Sequence, residues 1–443
     1  METDLPRASM FADHRARTLA AMEPGSAMLI FSAHHRLRNA DTEYPYRQRS
    51  DLYWLTGWTD PEAALLLLPG SKTPFVLFVQ PKDPAQEVWT GIRPGPVGAL
   101  EEYGADLAHD IGDLEERLPD LLMGCRTLYY EAMADAERDG LVRRSVARAR
   151  RKARKDGPET PDAFIHPGRI LHELRLRKSD AELALLREAA AITAEAHVEA
   201  MKATRPGAHE YELAALIDYT FRRRGGNGPG YESIVGGGAN ACILHYVTNR
   251  DPLNDGELVL VDAGCEYELY TADVTRTWPV NGSFTAPQRE LYEVVLAAQL
   301  AAIDTLRPGR EIREMHDAAV RSLTEGMVRL GLLEGEVDEL IEADAFKRYY
   351  MHGTGHWLGI DVHDVGLYWA DGASRRLEPG MVSTVEPGLY VAPDDEEAPE
   401  RFRGIGIRIE DDVLVTEGEP EILTAAVPKT IEAIEALMRG DGA

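Results

Sequence analysis

No segment restricts the fold and chemistry of this chain more than MHGTGHWLGIDVHD, from Met351 to Asp364. It carries three histidines, His352, His356 and His363, with glycines between them. The four-residue spacing of His352 and His356 would place both on one face of a helix, as in zinc proteases. Glycine disfavours a helix and lets the backbone approach another group closely, so we instead predict an irregular segment whose imidazoles bind metal or carry protons.

Four carboxylates stand in or at the end of predicted strands. LVLVDAG carries Asp262 at the end of its apolar run, and MVSTVEPG carries Glu386 in the same way. Burying such a carboxylate costs free energy unless it is paired or bound to a cation. The two-residue period of a strand places Asp273 among threonines in YTADVTRTWPV, and it places Glu410 beside Arg408 in RGIGIRIED. Each segment alone is also consistent with an ordinary strand whose charges face water.

Together with the histidines, these carboxylates make up a candidate metal-binding set. Two aspartates, two glutamates and at least one histidine would supply oxygen-rich ligation with one imidazole. Crowded carboxylates without cations would repel one another and take up protons, whereas two divalent ions would neutralise the four negative charges. This ligand chemistry favours Mn²⁺, with Co²⁺ or Zn²⁺ as alternatives.

The order of strands and helices predicts two domains. Residues 1–160 read as an α/β domain, with strands over 27–32, 63–68 and 75–79 and helices over 106–122 and 135–155. Residues 161–178 form a linker and the start of the second domain. A capping box at Ser179 and Glu182 opens a long helix. Residues 179–443 are predicted to be an α+β domain in which helices cover a curved, mostly antiparallel sheet.

Composition narrows the range of partners. The net charge of −27 over 443 residues argues against nucleic acid, because phosphate binding needs clustered lysine and arginine. No apolar run is long enough to span a membrane. Three cysteines indicate a reducing compartment, so we expect a cytoplasmic protein. The basic run 143–155 is either a nucleic-acid arm or a solvated helix face that balances nearby acid, and we favour the second reading.

Several motifs resemble those of the pita-bread metallopeptidases, most closely the aminopeptidase P (Xaa-Pro aminopeptidase) type. They are RQRSDLYWLTGWTDPEAALLLL (47–68), IVGGGANACILHY (234–246), VDAGCEYELYTADVTRTWPVNG (261–282), HGTGHWLGIDVHDVG (352–366), LEPGMVSTVEPGLY (377–390) and RGIGIRIEDD (403–412). The resemblance extends over nearly the whole chain. One small departure is Gly355, where related sequences often have serine.

The resemblance implies a dinuclear metal site. Its five ligands would be Asp262, Asp273, His356, Glu386 and Glu410. Asp273 and Glu410 would bridge two metal ions. Asp262 would complete one site, and His356 and Glu386 would complete the other. A hydroxide shared by the metals would attack the carbonyl of an Xaa-Pro bond, so that the first residue is removed from a peptide whose second residue is proline.

The resemblance also implies roles for residues around the ligands. Glu386 would carry a proton as well as bind metal. His363 would hydrogen-bond the oxygen of the attacked carbonyl. His352 would take part in catalysis and line the proline pocket, and His245 would bind substrate nearby. Arg408 would orient the carboxylates and contribute to substrate binding.

The sequence is also consistent with two other functions. Prolidase uses the same ligands but cleaves only Xaa-Pro dipeptides, and the match of the N-terminal domain favours aminopeptidase P over it. A non-catalytic pita-bread binding module is less favoured, because all five ligand positions are occupied by ligating residues. The expected partners are peptides with proline at the second position and other copies of the chain, in a dimer or tetramer. Neither nucleic acid nor a membrane is expected as a partner.

Overall fold

The computed structural model describes residues 4–154 and 157–440. The chain divides into two compact units, residues 1–174 and 175–443. Within the described residues, none of the helices combines the length and the apolar character needed to cross a membrane.

The first unit has a central sheet surrounded by helices. Its helices are α1 Asp4–Ala21, α2 Ser50–Thr56, α3 Pro84–Thr90, α4 Gly95–Glu101, α5 Leu114–Leu121 and α6 Ala136–Lys152, and α7 Gly168–Leu176 follows across the boundary between the units. Its strands are β1 Ser26–Phe31, β2 Leu37–Asn39, β3 Thr42–Glu43, β4 Ala64–Leu67, β5 Phe75–Val79, β6 Leu107–Asp110, β7 Thr127–Tyr129 and β8 Ala163–Ile165.

Six of these strands form a mixed sheet in the order β6-β5-β4-β1-β7-β8. β4 pairs antiparallel with β1 and β5, and the outer strands pair parallel. β1, β4 and β5 are buried along their whole length, which requires cover on both faces of the sheet. Leu114 and Leu118 of α5 and Val146 of α6 pack into the core on one of these faces. The three predicted strands are confirmed as β1, β4 and β5.

The predicted helix over 106–122 is wrong in its first part. Leu107–Asp110 is strand β6, which pairs parallel with β5 in a register that puts Leu107 opposite Val76. Asp106 supports this edge, because its Oδ2 accepts the N–H of Phe75 at 2.9 Å. Pairing with the open edge of the sheet therefore overrides the local helical pattern, and the helix begins only at Leu114.

The basic run lies on helix α6 as far as the structure describes it, and Lys155 lies outside the described residues. Arg144 makes two hydrogen bonds of 2.9 Å to the carboxylate of Glu115, and Arg148 lies 3.5 Å from the same group. Lys152 lies 2.6 Å from Asp120. These contacts agree with a solvated helix face that balances nearby acid.

The second unit consists of long helices and several small sheets. Its helices are α8 Asp180–Ala203, α9 Glu210–Arg223, α10 Ala286–Ile303, α11 Arg313–Leu330, α12 Val337–Glu342 and α13 Ile431–Arg439. Its strands are β9 Gly228–Pro229, β10 Ile234–Gly237, β11 Leu258–Asp262, β12 Cys265–Tyr267, β13 Tyr270–Thr271, β14 Thr275–Pro279, β15 Trp369–Ala370, β16 Ala373–Ser374, β17 Val382–Val385, β18 Gly388–Val391, β19 Ile405–Arg408, β20 Asp411–Leu414 and β21 Glu421–Ile422.

Every strand pair recorded in the second unit is antiparallel. β11 is flanked by β10 and β14, β17 pairs with β20, and β18 pairs with β19. The predicted capping box forms at the start of α8, where the Ser179 side chain accepts from the Glu182 N–H and the Glu182 carboxylate accepts the Ser179 N–H. The main core of the unit combines residues from α8, α10 and α11 with residues of β11 and β14.

The predicted strand over 269–280 is interrupted at Ala272–Val274. The N–H of Asp273 donates to Oδ2 of Asp412 at 3.1 Å instead of continuing the ladder. Gly264 lies so close to Ala272 that a Cβ on the glycine would be 1.7 Å from the Ala272 carbonyl oxygen. The interruption therefore separates Asp273 from the regular strand β14 and holds its backbone in place.

Candidate metal centre

The five predicted metal ligands come from strand ends and irregular segments. Asp262 is the last residue of β11, and Asp273 lies in the interruption before β14. Glu386 lies between β17 and β18, and Glu410 lies between β19 and β20. His356 lies in an irregular segment without a helix, as its neighbouring glycines predict.

Asp273, His356 and Glu410 form a compact group. One ligand atom from each residue lies within 4.8 Å of the other two. Nε2 of His356 is 3.4 Å from Oδ2 of Asp273 and 3.8 Å from Oε1 of Glu386. Four of the five predicted ligands are therefore neighbours, although they lie on different elements.

Tyr231 connects the fifth predicted ligand to this group. Its hydroxyl oxygen lies 2.6 Å from Oδ1 of Asp262 and 2.5 Å from Oδ1 of Asp273, so two carboxylates share one hydroxyl proton. Oδ2 of Asp262 accepts a hydrogen bond of 2.6 Å from the guanidinium of Arg408. Both oxygens of Asp262 therefore have a hydrogen-bonding partner that fixes their orientation.

The electrostatics of the group fit a cation site. Burial raises the pKa of Asp273, raises the pKa of Glu386 to about 7, and raises the pKa of Glu410 well above its ordinary value. Burial alone would lower the pKa of His356, but its hydrogen bond to Asp273 and the nearby carboxylates raise it to about 9. A site that takes up protons at its carboxylates and its imidazole lacks positive charge, and bound divalent ions would supply that charge.

A cavity of about 290 Å³ opens onto these residues. Its lining includes the predicted ligands Asp262, His356 and Glu386 together with the predicted substrate-binding residues His245, His352, His363 and Arg408. The imidazole rings of His356 and His363 have centroids 4.2 Å apart. One cavity thus contains groups that are able to bind a metal ion and neutral or cationic groups that can contact a substrate.

Comparison with known protein families and structures agrees with this geometry. The family described as metallopeptidase family M24 matches residues 184–417, and the aminopeptidase P N-terminal domain matches residues 11–129. The chain belongs to metallopeptidase family M24. The predicted fold class is confirmed, and the C-terminal part of this M24 peptidase has the pita-bread fold.

Several similar proteins match this M24 peptidase over almost its full length. It is 47% identical to the Xaa-Pro aminopeptidase of Escherichia coli over 97% of each chain. The structure of Pseudomonas aeruginosa aminopeptidase PepP matches with a TM-score of 0.96 and 48% identity, and the alignment covers 98% of each chain. A variant of E. coli aminopeptidase P in complex with substrate matches with a TM-score of 0.94 and 47% identity over 98% of each chain.

Gly355 allows the segment before His356 to lie against β17 of the peptidase. The N–H of Thr384 donates to the carbonyl of His356 at 2.9 Å, and the N–H of His356 donates to the Thr384 hydroxyl at 3.0 Å. A Cβ on Gly355 would lie 1.9 Å from the carbonyl oxygen of Thr384. Since this neighbour is backbone, any side chain at position 355 requires the His356 segment to move.

We expect Gly355→Ala to lower the affinity for divalent metal by about 10–100-fold, the range seen when groups that orient a ligand are changed. Isothermal titration of metal into the metal-free protein measures the effect. Gly353→Ala is the matched control, because no atom lies within 4 Å of a Cβ added there. Equal metal affinities of the two variants would contradict this role of Gly355.

His352 belongs to a hydrogen-bonded network that extends to Asp262. Its Nδ1 donates to the carbonyl of Gly353 at 2.7 Å, so Nε2 accepts from the hydroxyl of Tyr390 at 2.9 Å. The Tyr390 oxygen in turn accepts from Arg408 at 3.0 Å. Burial, together with the charge of Arg408, lowers the pKa of His352 to about 4. The ring is therefore neutral near pH 7 and has a fixed orientation.

Sequence reasoning did not single out Tyr231, Tyr390 or Asp412. Tyr231 follows the short strand β9, whose two residues give no strand signal. Tyr390 lies within the LEPGMVSTVEPGLY motif, but a tyrosine in an apolar strand does not reveal that its hydroxyl contacts two polar side chains. Asp412 lies next to a charged neighbour in the sequence, and only the fold shows that it accepts the N–H of Asp273.

Proposed function

We propose that this M24 peptidase is an Xaa-Pro aminopeptidase, which removes the first residue of a peptide when the second residue is proline. Residues 179–443 would form its catalytic domain, residues 161–178 would lead into it, and residues 1–160 would form the N-terminal domain. The observation that carries the proposal is the single cavity that is lined by Asp262, His356 and Glu386 as well as His352 and His363. The names of the full-length relatives support the same substrate class.

We propose that five residues hold two divalent ions, with Mn²⁺ as the favoured metal because most ligands are carboxylates. The residues that would hold the ions are Asp262, Asp273, His356, Glu386 and Glu410. When bound, such ions supply Lewis acidity, which activates water and polarises a carbonyl group. Thr275 would keep Glu410 in position, because its hydroxyl donates to the Glu410 carboxylate at 2.6 Å.

The neighbouring side chains would bind substrate and move a proton. Glu386 would accept the proton from the attacking water on a carboxylate oxygen and pass it to the leaving proline nitrogen. His363 would donate a hydrogen bond to the carbonyl oxygen as negative charge develops there. His352 and His245 would contact the peptide, with His352 against the proline ring. Arg408 would hold Asp262 in the orientation described above.

The purified peptidase, supplied with Mn²⁺, is expected to cleave Xaa-Pro-Yaa tripeptides and longer Xaa-Pro peptides after the first residue. Mass spectrometry of the products from Ala-Pro-Ala, Ala-Pro and Ala-Ala-Ala measures the reaction. Glu386→Gln keeps the shape of the side chain but cannot accept the proton, so it is the control for adventitious proteases. Cleavage of Ala-Pro alone would change the assignment to prolidase, and cleavage of none of these peptides would refute both.

We also propose that the chain forms a homo-oligomer, a dimer or tetramer, and that it resides in the cytoplasm. Helix α3 has no buried residue, and Val88, Trp89 and Ile92 in and after it are each more than 80% exposed. Such a patch is typical of an interaction surface. Cys125, Cys242 and Cys265 are all free thiols, which agrees with a reducing compartment.

The oligomer proposal predicts that Trp89→Ser lowers the mass measured by analytical ultracentrifugation. Removing the largest apolar side chain from the patch weakens an interface that depends on burying it. Leu37→Ser is the control, because Leu37 is also exposed in the same unit but lies outside helix α3. A wild-type chain that sediments as a monomer would contradict the proposal.

A further inference from the structure

A second cavity, of about 400 Å³, lies beside the metal-centre cavity in the same unit. Much of its lining is apolar, with Met315 from helix α11 and with Phe346, Met351 and Trp369. Met351 is 47% exposed and Trp369 is 60% exposed. Large apolar side chains that border a cavity and remain in contact with water are typical of a binding site rather than of a core.

The two cavities have a wall in common. His352, Gly353 and Gly355 line both of them, whereas Asp262 and Glu386 line only the cavity at the metal centre. The second cavity therefore lies beyond His352 as seen from Asp262. Gly353 leaves this wall open, because no atom lies within 4 Å of the place where its Cβ would be.

A second part of the wall of this cavity is anchored next to His356. Its residue Tyr368 accepts the N–H of Trp357, the residue after His356, at 2.8 Å. The two rings stack with centroids 5.3 Å apart and an angle of 14°. Trp369 follows at the start of the β15–β16 hairpin. Because Trp357 is fully buried, it provides a rigid support for this wall.

We infer that the second cavity binds the part of the peptide that follows proline, with a preference for a large apolar side chain at the third residue. This inference rests on the proposed function, which puts the bond to be cleaved at the candidate metal centre and the proline against His352. An extended chain advances about 3.3 Å per residue, so the third residue lies just beyond His352. The same cavity would bind the residues after proline in a longer peptide. An enzyme that cleaves only dipeptides does not need such a site.

The charged groups at the rim do not change this preference. Arg313 lies 3.1 Å from Glu311, and Lys347 lies 2.6 Å from Asp344. Each cation is thus already paired with a carboxylate of its own. Recognition in this cavity therefore depends on the apolar walls formed by Met351, Phe346 and Trp369.

The test compares Ala-Pro-Phe with Ala-Pro-Gly. In the wild-type enzyme with Mn²⁺, we expect kcat/KM to be about tenfold higher for Ala-Pro-Phe, the scale on which apolar pockets discriminate between side chains. Trp369→Ala should bring the two values toward equality, mainly by lowering kcat/KM for Ala-Pro-Phe. Tyr219→Ala is the matched control, because Tyr219 is another 60% exposed aromatic residue of the same unit and does not line the cavity.

A wild-type ratio near one, or a ratio that Trp369→Ala leaves unchanged, would overturn the inference. If Trp369→Ala instead changed the ratio of kcat/KM for Phe-Pro-Gly to that for Ala-Pro-Gly, the cavity would be assigned to the first side chain. Titration calorimetry with the products Pro-Phe and Pro-Gly repeats the comparison without turnover. Absence of all cleavage would refute the proposed function, whereas equal affinities for these two dipeptides would refute the subsite.

Discussion

Replacing His363 with alanine is expected to lower kcat on Xaa-Pro peptides by about 10²–10³ while the bound metal is retained. His363 lines the cavity, and its ring lies 4.2 Å from that of His356, centroid to centroid. Burial lowers the pKa of His363, so a neutral ring with one N–H is present near pH 7. Loss of a single donor to an oxygen that gains charge costs about 2.7–4 kcal/mol in the transition state.

His356→Ala is the matched comparison for this prediction, because it should weaken metal binding itself. Plasma mass spectrometry of dialysed protein measures bound metal, and initial rates with saturating Mn²⁺ and substrate measure kcat. A His363→Ala enzyme with near-normal kcat would indicate that His363 only packs the loop. A His363→Ala protein that had lost its metal would instead make His363 a ligand.

Replacing Asp364 with alanine is expected to cost about 3–5 kcal/mol of stability, the penalty for breaking a buried ion pair. Oδ1 of Asp364 lies 2.5 Å from Arg175, and Oδ2 lies 3.0 Å from Lys178. All three side chains are almost fully buried. Loss of the carboxylate leaves two buried cations with no adequate compensation and releases the loop that carries His363. Urea unfolding followed by tryptophan fluorescence measures the loss.

Asp361→Ala is the control, because Asp361 also contacts Arg175, at 2.7 Å, but its side chain is 34% exposed. A pair that is partly exposed contributes at most about 1 kcal/mol. Equal losses in the two variants would contradict the importance that we assign to burial at Asp364.

The stabilisation by Asp364 should also depend on pH with a definite sign. Burial alone would raise the pKa of Asp364, but Lys178 and Arg175 hold it below the ordinary value. The unfolded chain therefore binds this proton at higher pH than the folded chain. The stabilisation is fully present above the pKa that Asp364 has in the unfolded chain. It is lost as the pH falls through the lower pKa that Asp364 has in the folded chain. The difference between wild type and Asp364→Ala should consequently shrink in acid.

Strand ends were the most reliable feature of the sequence. Carboxylates that follow apolar runs, such as Asp262 and Glu386, were predicted as ligands, and both line the cavity at the metal centre. The glycines beside His356 correctly excluded a helix there. Such features can be recognised in a sequence because a buried charge and a glycine-rich segment have few acceptable environments, whatever the remaining fold. Metal binding by Asp262 and Glu386 stays a prediction.

The features that sequence reasoning missed depend on contacts between distant segments. Leu107–Asp110 has a helical pattern but pairs with β5, and an open sheet edge cannot be recognised from residues 107–110 alone. Tyr231 contacts Asp273, which lies 42 positions further along the chain. No local pattern distinguishes such a tyrosine from one that packs in a core.

The long sequence separations in the metal centre have a consequence for the order of folding. The Thr275 hydroxyl meets the Glu410 carboxylate across 135 positions, and the Asp262 carboxylate meets Arg408 across 146. Closing loops of this length costs chain entropy before the favourable contacts can form. Topologies of high contact order therefore fold slowly. The five proposed ligands come together only after the sheets of the second unit have assembled. Divalent ions are therefore expected to stabilise this chain by binding to the native state after it has formed, rather than to nucleate its folding.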